Sequence, residues 1–80
     1  MSAHPAEILA LLERGDWDAA HRAVQVRSDT VSCLIHAYLH RLEGDLSNAH
    51  YWYTRAGESF PANNLVQELA RLQALAERES

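Results

Sequence analysis

The sequence predicts an all-α protein. Alanine and leucine dominate, β-branched residues are few, and the three glycines and two prolines fall only at breaks between segments whose apolar residues recur at helical spacing. The breaks divide the chain into five helices. Helix one is expected at about 5–14: Pro5 suits a first helical position, Glu7 adds negative charge to the first turn, and Gly15 can close the helix in a left-handed conformation. Asp16 then caps helix two, expected to run to about 27, and Ser28 or Asp29 caps helix three, 29–43, which stops at Gly44. Asp45 caps helix four, 45–57, with Asn48 placed to reach back to it. After the long loop GESFPAN, Asn63 or Asn64 opens helix five, 63–78, where Gln67 is spaced for a capping box with Asn64.

Each segment carries an apolar stripe. Helix one presents Ile8, Leu9, Leu11 and Leu12, helix two Trp17, Ala20 and Val24, and helix three Val31, Leu34, Ile35, Tyr38 and Leu42. Helix four presents Leu46, Ala49, Tyr53 and Ala56, with Phe60 following. Helix five offers Leu65, Leu69, Leu72 and Ala76, broadened by Val66 and Leu75, a stripe suited to lying across the bundle or to pairing with a second copy.

Eighty residues make one domain with a small core, so association with a partner or a second copy would add useful burial. The net charge is −4, and all seven basic residues are arginines scattered along the chain, which argues against nucleic-acid binding. A single cysteine, Cys33, rules out an internal disulfide. The N-terminus lacks a signal-peptide pattern and no stretch suits a membrane span, so the expected location is the cytoplasm.

Gly15-Asp16 and Gly44-Asp45 are separated by 29 residues, and the same offset carries Ala20 onto Ala49 and His21 onto His50. The second hairpin, Thr30 to Asn63, resembles a tetratricopeptide repeat in its Ala37, Gly44, Ala49, Tyr53, Ala56 and Pro61. The phrase Asn48-Ala49, Trp52-Tyr53, Arg55-Ala56-Gly57 is similar to the Sel-type subclass. The first hairpin shares only Gly15 and Ala20, and Cys33, His36 and His40 stand where that family usually places large apolar residues. The resemblance implies two helical hairpins and a capping C-terminal helix that bind a protein or peptide partner. It also turns Tyr38 and Arg41 towards that ligand.

The expected function is accordingly that of a non-catalytic scaffold or interaction module, self-association included, with no cofactor. Its contact residues are Tyr38, Arg41, Tyr51, Trp52 and Arg55. Tyr51 and Arg55 form an i, i+4 pair able to stack a guanidinium on a ring, whereas Tyr53 belongs to the core stripe. The alternative is a metal or small-ligand site. His36 and His40, one turn apart, share a helix face as imidazoles that bind one ion do, and Glu43 and His50 are the ligands expected to complete it. Cys33 lies roughly 10 Å along the axis from His40, too far to join both imidazoles on one ion. As a thiol in an apolar helix it is expected to be inert. No phosphate loop, nucleophile elbow or paired-cysteine motif points to an enzyme.

Overall fold

The computed structural model describes residues 4–79, which form helices α1 (Pro5–Glu13), α2 (Trp17–Val24), α3 (Thr30–Leu42), α4 (Leu46–Arg55) and α5 (Leu65–Glu79). The described residues contain no strand. The radius of gyration, 11.2 Å, is close to the about 11.6 Å expected of a compact chain of this length. Among the described residues no helix is long and apolar enough to cross a membrane.

Cap chemistry sets the boundaries. Pro5 is the first residue of α1, Asp16 accepts from the Ala19 amide, Asp29 from Ser32, and Asp45 from Asn48, whose side-chain amide also donates to Asp45 at 3.0 Å. Asn64 and Gln67 make the reciprocal capping box at the start of α5. Two turns are closed alike. Gly15 and Gly44 have φ of +78° and +81°, and the amides of Asp16 and Asp45 reach back to the carbonyls of Leu11 and His40 at 3.0 and 2.9 Å. Helix α2 ends three residues earlier than its pattern suggests. There the chain turns so that Arg27 Nε can donate to Asp29 and to the buried Ser32 hydroxyl, at 2.9 and 2.8 Å.

Helix α3 is the centre of the molecule. It packs against each of the other four helices, most extensively α4, and every residue from Val31 to His40 is buried. Helix α1 pairs with α2, and α5 lies across α1 and α3. The core joins Ile8, Leu9, Ala20, Val24, Leu34, Ile35, Leu39, Ala49, Tyr53 and Leu72, with Trp17, Trp52 and Phe60 at its margin.

Helix α5 faces inward differently from the expected stripe. Val66 is 80% exposed and Leu65 also stands at the surface, whereas Glu68 is fully buried in line with Leu72 and Ala76. A carboxylate tolerates such a position only with partners, and Glu68 has three. The Tyr53 hydroxyl donates to it at 2.6 Å, Asn63 Nδ2 at 2.8 Å, and Arg71 through Nε and an NH2 nitrogen at 2.8 and 2.9 Å. Despite burial, which acts the other way and most strongly, these bonds hold the Glu68 carboxyl below its ordinary value. Tyr53→Phe removes one charge-assisted bond from this buried acid. Urea unfolding of that variant is expected to show a loss of about 2 kcal/mol with helix content unchanged; an unaltered midpoint would show that Tyr53 contributes nothing to holding Glu68.

Candidate functional site

The structure gathers three imidazoles. His36 and His40, on successive turns of α3, have ring centroids 5.1 Å apart, and His21 from α2 sits across from both, at 4.8 Å from His36 and 5.5 Å from His40. One ring nitrogen of each lies within 4.8 Å of the others. Nε2 of His21 and Nε2 of His36 are 3.2 Å apart, near the about 3.3 Å edge of a tetrahedron with metal–nitrogen bonds of 2.0–2.1 Å.

Neighbouring groups fix the rings. Trp17 stacks on His21 at 4.8 Å and 8° and donates its indole N–H to the Leu39 carbonyl at 3.0 Å; Trp52 stacks on His36 at 3.8 Å and 13°. His40 Nδ1 donates to Glu43 at 2.5 Å, so in the neutral ring Nε2 is the lone-pair nitrogen. This is the carboxylate–imidazole pairing that orients histidine ligands in metal sites. His36 Nδ1 is buried with no partner. With no ion bound, the tautomer with Nε2–H directed at His21 leaves only a lone pair unpaired; ligation through Nε2 requires the other tautomer, whose Nδ1–H has no acceptor among the described residues.

Burial pushes His36 down to about 4, assisted by the like-charged forms of His21 and His40. His21 is lowered by the same two causes, burial first and then His40, with Glu43 and Asp18 opposing. His21 and His36 are thus neutral at pH 7, the form in which imidazole donates a lone pair to a metal.

The expected residues divide. His36 and His40 lie together, whereas Glu43, expected as a ligand beside both, bonds Nδ1 of His40 and stands outside the three-imidazole group. His50 does not join them: it is exposed on α4 with its ring against Phe60 at 4.9 Å, and the third imidazole is His21 from the preceding helix. A second grouping, His40 with Glu43 and Asp45, adds little, because the Asp45 carboxylate is occupied by its cap bonds to Ser47 and Asn48. Cys33 is buried with Sγ directed at the Ser28 carbonyl 3.8 Å away, and burial pushes its thiol up.

Of the five residues expected at a partner surface, Tyr38 is buried at 5% exposure. Arg41 is half-buried and turned inward, donating to the Tyr53 hydroxyl at 3.2 Å and to the Asn63 side-chain and main-chain oxygens at 2.9 and 2.7 Å. The inward direction follows from α3 having no free face along Val31–His40. Tyr51 and Arg55 remain on the surface, bonded at 3.2 Å, with the Arg55 guanidinium 5.2 Å from the half-buried Trp52 ring. No protein-family model, curated protein or solved structure matches the chain.

The lowered His36 value has a definite pH consequence. The unfolded chain takes up that proton near 6.5 and the folded chain near 4, so its contribution to stability is complete above about 6.5 and declines as pH falls towards 4. The loss expected across that window is roughly 3 kcal/mol, with His21 acting in the same direction. Urea unfolding at stepped pH checks this: His36→Leu should flatten the slope between 6.5 and 4, and an unchanged slope would assign the acid sensitivity elsewhere.

Proposed function

We propose that this protein binds a first-row transition-metal ion through His21, His36 and His40. The observation that carries this reading is the convergence of three imidazoles from two helices within 4.8 Å. Two features support it: Glu43 orients His40 from the outer nitrogen, and burial keeps His36 neutral. Imidazole ligands suit zinc, copper, nickel and cobalt, with Cu(II) bound most tightly of that series. Neither calcium nor magnesium fits a site without oxygen ligands.

A second reading, a scaffold for a protein or peptide partner or for a second copy of the chain, is favoured by the exposed Tyr51–Arg55 pair beside Trp52. Tetratricopeptide-like architecture suits it. The two hairpins share left-handed Gly15 and Gly44, capping Asp16 and Asp45, and fully buried Ala20 and Ala49. Neither reading calls for catalysis.

Calorimetric titration with Zn(II) or Cu(II) is expected to give one ion per chain. His36→Ala should weaken binding by at least about a hundredfold, Glu43→Gln by about tenfold to a hundredfold, and His50→Ala not measurably. Cu(II) should also quench Trp17 and Trp52, whose indoles stack on two of the ligands. Equal affinities in wild type and His36→Ala would sink the reading.

A further inference from the structure

Resting on the metal reading above, we infer that the ion keeps a coordination position for an exogenous ligand, a water or small monodentate anion, entering from the His21 side. Glu43, Cys33, His50 and Asp45 are turned to different tasks, and Asp18, which acts on His21 through its charge, lies outside the convergent group. Glu43 is on Nδ1 of His40, across the ring from the lone-pair nitrogen that faces away from that carboxylate. Cys33 Sγ is directed at the Ser28 carbonyl. His50 rests against Phe60, and Asp45 caps α4. Among the described residues the convergent set is therefore three nitrogens, and three protein ligands leave a four-coordinate ion one position short.

Burial says where that position opens. His36 and His40 are 4% and 7% exposed, whereas His21 is half-buried on short α2, so the cluster is closed towards α3 and accessible beside His21. The Trp17 and Trp52 rings stacked on His21 and His36 flank the site, so a ligand reaching the ion passes beside an indole. Charge favours a single negative charge: neutral imidazoles leave the ion's double charge uncompensated, and Glu43 and Asp18 supply only partial balance nearby.

The full chain loaded with Co(II) tests this, because cobalt d–d absorption reports coordination. Equilibrium dialysis first counts cobalt per chain, and azide is then titrated into the loaded protein. The expected result is one cobalt per chain and a saturable spectral change with azide, both lost in His21→Ala and both retained in His50→Ala. One cobalt per chain with a spectrum that azide leaves unaltered overturns the open position while leaving the metal reading intact, as does native mass spectrometry showing two chains sharing one cobalt. Failure of the wild-type chain to retain cobalt, zinc or copper overturns the metal reading itself.

Discussion

The structure depends on the enclosure of α3. A helix surrounded by four others has no solvent face on which to place polar side chains, so each one that it carries must be satisfied by a neighbour. Ser32 is met by Arg27 and Asp29, His40 by Glu43, and His36 by His21 at Nε2, its buried Nδ1 being the exception. The site is a result of that enclosure. Two histidines one turn apart on an exposed helix would be solvated and independent; on this one they are pressed against aromatic rings and a third imidazole, in surroundings that disfavour the charged form of His36.

The same constraint explains the far side of the molecule. Arg41, near the end of α3, turns inward to Asn63 and the Tyr53 hydroxyl, and Tyr53 passes the connection to Glu68 and thence to Arg71. Arg71 also pairs with Glu58 at 3.1 Å. This chain of charge-assisted bonds joins α3, α4, the loop before α5 and α5 itself. Apolar burial alone would allow α5 to rotate about its axis, since Leu65, Val66, Leu69 and Leu75 offer alternative faces; a carboxylate with three fixed donors allows one orientation. The hydrophobic content of α5 is enough to hold it down, and the buried acid decides how it lies.

Most of the helix order was legible because it is written in local chemistry: an aspartate or asparagine at each start from α2 onward, a glycine after α1, α3 and α4. The His36–His40 pair and the buried Tyr53 were legible from periodicity. What escaped were pairings between segments. The burial of Glu68 depends on partners outside its own helix, and Tyr53 lies 15 residues away from it. His21 escaped for a related reason. The 29-residue offset already placed His21 and His50 at equivalent positions of two hairpins, and sequence alone does not say which of them faces α3 beside His36. Packing decides that: Trp17 brings α2 against Leu39 and His40, while on α4 the ring reaching His36 is that of Trp52, which leaves His50 turned towards Phe60.

The glycine turns carry a stereochemical consequence. At Gly15 and Gly44 the backbone adopts the left-handed conformation, yet a Cβ built on either would meet no atom within 4 Å. Nothing but chirality reserves these positions for glycine. A residue of the opposite hand prefers that backbone region as an L-residue prefers its mirror image, so D-alanine fits both turns without strain and stiffens the unfolded chain. The two corners joining the paired helices are thus places where this fold accepts mirror-image building blocks.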